Sequence, residues 1–282
     1  MRVRTGAMRG YSVTATRTKR STTPRVRATH KLTEYVRKAP EVTPHLPLVH
    51  TTDTWAFRAV ILGPGTLEPQ PDLVLDDIRL YLYYGRPAYR PNSGSPPTSV
   101  PGYAPVCFVL APDCLPSIER IYPFDSGAFS GKFYAPHVHD RMTLDDFALD
   151  PQPGMAARVV GAFFGTNEAY FYGTAIRTKT FDPLELEAQC YYNLIVEQGT
   201  TSYDDRRGTI EITIKVPLTL SSSTVRAVVL PKTLLDSPEV QTTLKAWGAE
   251  ILSYTTSHAK PTEFISQIRA KTEEYLKQNG YI

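Results

Sequence analysis

The sequence predicts an α+β fold in which a mixed β-sheet is flanked by helices. Apolar and polar residues alternate over residues 210–216, which predicts a strand with isoleucines on one face and Glu211 on the other, polar face. A continuous apolar run predicts a second strand at 225–230, and helical periodicity is clearest at 183–197. Short strands and segregated helices together favour α+β, with a split mixed sheet and a central ligand cleft.

The first 40 residues are predicted to be a flexible basic arm. They hold eleven Lys or Arg residues and one acid, Glu34, whereas the rest of the chain holds 20 basic and 27 acidic residues. Residues 1–30 have no apolar period, and residues 32–36 fit one or two helical turns. We expect such an arm to attract DNA or RNA by charge; a plain unstructured tail and an organelle transit peptide are the alternatives.

Residues 41–282 are expected to form one folded domain. It begins with a strand that ends near His50, followed by a helix over 55–62 that Thr51, Thr52 or Asp53 can cap. Residues 86–105 hold six prolines and predict a long loop of the kind that is often functional. The remaining predicted elements are strands at 78–84, 106–110 and 251–254, and helices at 154–164, 232–247 (interrupted near Pro238) and 261–278.

Composition places the chain among globular proteins. Hydrophobic residues make up 41% of it and charged residues 21%, which suits a packed core. The sequence has no apolar run of the roughly 18 residues that a membrane span needs, so none is predicted. The three cysteines form an odd set without metal-site spacing, which favours buried thiols in a reducing compartment and hence a cytoplasmic location.

Three short motifs occur in order along the chain. His50-Thr51 stands at the end of a predicted strand, Tyr83-Tyr84-Gly85 ends the next one, and Arg206-Arg207-Gly208 leads into the strand that holds Glu211. This arrangement resembles the His-Tyr-Glu type of the ADP-ribosyltransferase family, nearest to the enzymes that modify DNA bases. The resemblance covers roughly residues 45–255, and its specific part is confined to the three motifs.

The resemblance implies NAD as substrate and Glu211 as the catalytic residue. A carboxylate held by a rigid strand can stabilise the oxocarbenium-like transition state that forms when nicotinamide leaves the ribose. His50 would bind a ribose hydroxyl, Thr51 the nicotinamide side and Arg58 a phosphate. If these residues have no role in binding or catalysis, Glu211 is an exposed strand residue, His50 a buried core residue and Arg58 a solvated helix residue.

An aromatic residue of the second motif is expected to stack on the nicotinamide ring. Strand alternation admits either Tyr83 or Tyr84 to the cleft, and Tyr84 is preferred because Gly85 follows it and lets a ligand approach. Thr209 stands two residues before Glu211, where family members that modify arginine carry a carboxylate. This difference argues against protein arginine as the acceptor.

A metal site is the competing interpretation of one further cluster. His137, His139 and Asp140 include two histidines at alternate positions, which a strand would place on one face. No second His or Cys cluster completes such a site in the sequence, so no metal is predicted and a surface loop is expected instead.

The expected activity is therefore transfer of ADP-ribose from NAD to a macromolecular acceptor. Nucleic acid is the favoured acceptor because of the basic arm and the resemblance. Family members of this kind often act as toxins or phage-defence effectors, so an antitoxin or other regulatory partner is expected. NAD hydrolysis is one alternative, and a non-catalytic nucleic-acid-binding protein is another.

Overall fold

The structure, a computed structural model, describes residues 31–72, 77–88, 96–197 and 205–282. Within these ranges the chain is an α+β fold, as the sequence predicts, and its main sheet is mostly antiparallel. Its strands are β1 (Leu48–Asp53), β2 (Thr66–Leu67), β3 (Gln70–Asp72), β4 (Asp77–Tyr84), β5 (Pro105–Leu110), β6 (Arg120–Tyr122), β7 (Glu211–Ile214), β8 (Leu218–Thr219), β9 (Val225–Pro231) and β10 (Glu250–Tyr254).

The helices lie on both faces of this sheet. The α-helices are α1 (Leu32–Arg37), α2 (Thr54–Leu62), α3 (Ser126–Ser130), α4 (Leu144–Phe147), α5 (Met155–Phe163), α6 (Asn167–Tyr172), α7 (Leu186–Val196), α8 (Pro238–Trp247) and α9 (Ile265–Gln278). Short 3-10 helices occupy Pro101–Tyr103, Asp205–Gly208, Lys232–Asp236 and Pro261–Phe264. The predicted helix at 232–247 thus consists of a 3-10 segment and α8, divided just before Pro238.

The sheet has the strand order β10-β9-β5-β1-β4-β7-β6, with β3 paired to β4. Among the described strands, β9 and β10 run parallel and the other pairs are antiparallel. The β1–β4 pair is short, since only Leu48 and Val49 pair with Tyr84 and Tyr83. Beyond Val49, β1 continues against β5 alone, while the start of β4 pairs with β3 instead. The two strands therefore separate at His50.

The start of α2 follows directly from the sequence. Asp53 caps the helix, because its Oδ1 accepts a hydrogen bond from the backbone N of Ala56 at 2.8 Å. Phe57 and Val60 then face the interior, one turn apart. Cap and apolar spacing together fix where β1 ends and at which residue the chain turns into the helix.

Residues 31–40 belong to the folded body, so the predicted boundary of the arm at residue 40 is corrected. Leu32 and Val36 of α1 are fully buried, and Arg37 Nε donates to Asp150 Oδ2 at 2.6 Å. A Cβ added at Gly161 would lie 2.2 Å from the carbonyl oxygen of Pro40, so only glycine lets α5 pack this closely. The rest of the predicted arm, residues 1–30, lies outside the described residues.

The β5–β9 half of the sheet is covered on both faces. All six residues of β5 are buried, which explains its unbroken apolar sequence. On one face Phe108 packs against Phe57 of α2 and Trp247 of α8. On the other, α9 buries Ile268 and Thr272. None of the helices in the described part of the chain has both the length and the apolar character needed to span a membrane.

Candidate functional site

Glu211 begins β7 between two tyrosines. It lies opposite Tyr83 of β4 on one side and Tyr122 of β6 on the other. Directly opposed residues of antiparallel strands share a face, so the three side chains form one row across the sheet. The alternative of an exposed strand glutamate does not hold, since Glu211 is only 1% exposed and Thr213, on the same polar face, is fully buried. Helices and loops cover both faces here, which period-two reasoning does not reveal.

The two carboxylate oxygens of Glu211 have different surroundings. Oε2 accepts a hydrogen bond from the backbone N of Ser126 at 3.0 Å. Oε1 is buried and has no hydrogen-bond partner among the described residues. A buried carboxylate oxygen without a donor is unfavourable for folding and is therefore a feature that needs a functional reason.

Asp125 is the second carboxylate of the site. Its Oδ1 accepts from the backbone N of Ala128 at 2.6 Å and so caps α3, while its Oδ2 accepts from the hydroxyl of Tyr83 at 3.0 Å. Ser126, the next residue, is the one that donates to Glu211. The turn at Asp125 and Ser126 therefore links Tyr83 to Glu211 through two hydrogen bonds.

Burial and like charge shift the titration of this cluster. Burial, followed by the nearby negative charge of Asp125, raises the pKa of Glu211 to about 8, and the hydrogen bond from Ser126 N opposes this. Burial and then Asp125 also raise the pKa of Tyr83 well above its usual value. These effects favour the protonated form of Glu211 in the unliganded protein, and the Tyr83 phenol keeps the proton that it donates to Asp125.

The segment before Glu211 is anchored from several directions. Within the 3-10 helix Asp205–Gly208, the carbonyl of Arg206 accepts from Asp125 N at 3.2 Å. The carbonyl of Gly208 accepts from Arg86 Nη1 at 3.1 Å, and Ile210 N donates to the hydroxyl of Tyr170 at 3.0 Å. These bonds fix the backbone on which Glu211 stands, as a site of defined geometry requires.

The same face of the sheet stays polar beyond the Glu211 row. Tyr81, Thr213 and Arg120 lie opposite one another in the next row. Arg79 follows on β4, is 4% exposed, and donates from Nη1 to Thr213 Oγ1 at 3.3 Å. The Nε atoms of Arg79 and Arg120 are buried without a hydrogen-bond partner among the described residues.

His50 lies where β1 and β4 separate. Its Nδ1 is 2.8 Å from the carbonyl oxygen of Tyr81, and because a carbonyl only accepts, Nδ1 must carry the proton of that bond. Burial lowers the pKa of His50, so the ring is neutral at physiological pH and Nε2 is left as an acceptor. Strand alternation directs His50 to the face opposite Glu211, and Tyr81 is the residue that connects the two.

The faces of β4 are the reverse of those predicted, so the preference for Tyr84 is corrected. Tyr84 is 4% exposed, its hydroxyl accepts from Leu46 N at 2.9 Å, and its ring packs against Tyr170. Tyr83 is half-buried and stands on the face of Glu211. A Cβ at Gly85 would lie 2.5 Å from the Leu46 side chain, so this glycine, with φ of 64°, serves packing rather than ligand approach.

The other two predicted NAD contacts lie apart from the Glu211 row. Thr51 is buried opposite Cys107 of β5, beneath α9. Arg58 is exposed on α2, and its guanidinium carbon lies 4.0 Å from the ring centroid of Trp55, itself 65% exposed. The structure therefore does not bring Thr51 or Arg58 into contact with Glu211, Asp125 or Tyr83, and their roles toward NAD stay predictions.

His137 and His139 lie in a series of turns rather than on a strand. His137 Nε2 contacts Glu197 Oε2, and His139 Nδ1 accepts a hydrogen bond from the backbone N of Arg141 at 3.2 Å. Within the described ranges, no group of three or more His, Cys, Asp or Glu side chains is placed to hold a metal ion.

Sequence reasoning missed the residues that complete the Glu211 cluster. Asp125 and Ser126 lie in a stretch that looks aromatic and irregular, and Tyr81 and Tyr122 look like ordinary strand aromatics. An Asp-Ser-Gly directly after a strand is an N-cap signal and could have placed the start of α3. Its proximity to Glu211 arises only from the pairing of β6 with β7. No known family, curated protein or solved structure matches the chain.

Proposed function

We propose that the protein is an NAD-dependent ADP-ribosyltransferase with Glu211 as its catalytic residue. The main support is the buried Glu211 carboxyl, whose Oε2 accepts a hydrogen bond from Ser126 N and whose Oε1 has no hydrogen-bond partner among the described residues. The order of the motifs around His50, Tyr83 and Glu211 adds support, as does the separation of β1 from β4 at His50. The finer ADP-ribosyltransferase architecture, with a central NAD cleft, is part of this proposal.

The chemistry follows from the environment of Glu211. A mostly protonated carboxyl is tolerated in a buried site, whereas its ionised form requires a nearby cation. The nicotinamide ribose of NAD supplies one, and positive charge builds on the ribose carbon as nicotinamide departs. Ionised Glu211 then stabilises this transition state in a site of low dielectric, where such interactions are strongest. Its unpaired Oε1 is the atom available to bind a ribose hydroxyl or the acceptor.

One neighbour fits a supporting role in this proposal. Tyr83 stands on the face of Glu211, and its ring can stack against nicotinamide. The hydrogen bond from its hydroxyl to Asp125 limits how far the ring can turn. His50 lies on the face of the sheet opposite Glu211, so its predicted hydrogen bond to a ribose hydroxyl stays a prediction.

Incubation of the protein with labelled NAD and separate DNA, RNA and protein acceptors tests the proposal. We expect label on an acceptor and release of nicotinamide, with both lost in Glu211→Gln. Nicotinamide release without labelled acceptor would establish NAD hydrolysis instead. If no acceptor induces NAD consumption, the enzyme proposal fails and a non-catalytic nucleic-acid-binding protein becomes the better interpretation.

Nucleic acid is the proposed acceptor, and the basic N-terminal segment is the basis for it. Residues 1–30 hold eight of the eleven Lys or Arg residues of the predicted arm and no acid. Removing residues 1–30, rather than 1–40, spares α1 and should weaken DNA or RNA binding and flatten its dependence on salt. Unchanged binding at several salt concentrations would exclude an electrostatic anchor. A toxin or phage-defence role with a regulatory partner stays a prediction.

A further inference from the structure

Asp125 occupies an unusual position beside the proposed catalytic residue. Its side chain is 7% exposed, and both of its oxygens accept hydrogen bonds, from Ala128 N and from the Tyr83 hydroxyl. Its backbone N donates to Arg206 in the segment that leads into β7. The residue therefore touches α3, β4 and the approach to Glu211 at once.

We propose that Asp125 is a positioning residue that holds Ser126 N and the Tyr83 ring beside Glu211 and sets the charge environment in which Glu211 meets a cationic ligand. By capping α3, it aims Ser126 N at Oε2 and leaves Oε1 unpaired. By accepting from Tyr83, it holds the aromatic ring in the same row as Glu211. This inference rests on the proposed function, because the ligand is the nicotinamide ribose of NAD.

The groups that face Glu211 give Asp125 this role. Tyr81 and Tyr83 face it from β4 and Tyr122 from β6, and burial keeps the pKa of all three above the usual value for a phenol, so they are neutral. The negative charges near it are Asp125, which is the stronger influence, and Asp72 at the end of β3. The cations on the same face are Arg120, one row from Glu211, and Arg79, two rows away. A ligand cation at the Glu211 row would therefore meet two carboxyl groups, with the arginines set further along the sheet.

The proton balance in the cycle is simple. When the cationic nicotinamide ribose binds, Glu211 releases its proton to solvent, and the resulting carboxylate faces the cation. The C–N bond to nicotinamide then breaks, nicotinamide leaves as a neutral molecule, and the acceptor oxygen or nitrogen bonds to the ribose carbon. The acceptor gives its proton to the Glu211 carboxylate, which returns Glu211 to its starting state. Asp125 acts through Glu211 and Tyr83 rather than on the substrate.

Asp125→Asn tests this assignment with little change of shape. Asparagine still caps α3 through Oδ1, and its amide can donate to the Tyr83 oxygen, so the geometry is kept and the charge is lost. We expect the pH at which NAD turnover rises to half its maximum to fall by roughly one pH unit or more, because a like charge next to Glu211 has been removed. Asp53→Asn is the matched control, since Asp53 caps α2 in the same way, and its profile should match the wild type.

A second measurement separates this inference from the proposed function. The pH at which folding stability stops falling reports ionisation of Glu211 without any NAD, and Asp125→Asn should move it to lower pH. In a Glu211→Gln background, Asp125→Asn should leave the pH dependence of folding stability unchanged. If Asp125→Asn lowers the melting temperature equally at every pH and leaves both profiles in place, Asp125 only caps α3 and the assignment is overturned. If NAD is never consumed but the stability profile moves, the proposed function fails while the coupling of the two carboxyls stands.

Discussion

The two halves of the central sheet bury very different side chains. In the β5–β9 half, every residue of β5 is buried, and from Ala227 to Leu230 β9 buries only apolar side chains. In the β4–β7–β6 half, one face buries Arg79, Glu211 and Thr213 beside three tyrosines. Apart from the parallel β9–β10 pair, both halves are built from antiparallel strands, so the contrast lies mainly in the side chains.

That contrast shows which half of the sheet contributes less to folding stability. Apolar burial contributes about 25 cal/mol per Å², whereas a buried carboxyl with an unpaired oxygen is unfavourable for folding. A polar surface of this kind inside a protein persists when it binds something. We therefore propose the β4–β7–β6 face as the ligand face of the sheet, with the β5–β9 half as the scaffold that holds it.

The largest expected effect distinguishes the two tyrosines that end β4. Tyr84→Ala should lower the free energy of unfolding by about 3–5 kcal/mol, as for other buried aromatic truncations, and leave NAD affinity per folded molecule unchanged. Tyr83→Ala should instead weaken NAD binding by roughly 1–3 kcal/mol through loss of a stacking contact. Denaturant unfolding and calorimetric NAD titration measure the two quantities.

Two phenylalanine variants refine this test. Tyr84→Phe keeps the ring and removes only the acceptor for Leu46 N, so it should destabilise the fold less than the alanine variant. Tyr83→Phe keeps the stacking ring and removes the bond to Asp125, so most NAD affinity should remain. A loss of NAD affinity in Tyr84→Ala without loss of stability would reverse the assignment of the two faces.

The next largest effect concerns Glu211. Glu211→Gln should lower turnover by about 10²–10³-fold, because a neutral amide cannot stabilise a developing cation as a preorganised charge does. NAD affinity should change much less than turnover. Glu119→Gln is the control, an exposed carboxyl that pairs with Lys215 at the same edge of the sheet, and it should retain full turnover. Equal activity in both variants would remove Glu211 from catalysis.

The sequence predicted the scaffold half of the sheet well. Apolar runs identified β5 and β9, and the cap at Asp53 and the break before Pro238 marked α2 and α8 correctly. These elements are specified locally, by capping groups and by apolar residues that any covered strand requires. The α+β class followed from them, because grouped strands and helices leave few other architectures.

The ligand face was predicted only in part. Glu211 was singled out, but its burial, its contact with Ser126 and the presence of Asp125 all depend on β6 and α3 folding back beside β7. The preference for Tyr84 rested on the Gly85 that follows it, whereas Gly85 packs against Leu46 and Tyr83 lies on the face of Glu211. The packing of residues 31–40 was missed because two apolar residues in a short helix give little periodic signal.

The titration of Glu211 gives the ligand half a measurable signature. Its folded pKa, about 8, lies above its unfolded value, so its contribution to stability is complete below about pH 4.5 and is lost as pH rises toward 8. The slope should approach about 1.4 kcal/mol per pH unit for one proton. Glu211→Gln should remove this part of the decline. Identical slopes in the two proteins between pH 5 and pH 8 would mean that Glu211 is ionised in the empty site.

The smallest expected effects come from two single substitutions, one in each half of the sheet. Thr213→Val removes the acceptor of Arg79 Nη1 and should destabilise the fold by about 1 kcal/mol, since this bond is long at 3.3 Å. Val228→Thr places a hydroxyl among Phe108 and other apolar neighbours in the scaffold half and should destabilise by roughly 1–3 kcal/mol. Unfolding curves in urea measure both. If Val228→Thr proves neutral, the scaffold half tolerates buried polar groups as readily as the ligand half, and the polar face around Glu211 loses its value as a sign of function.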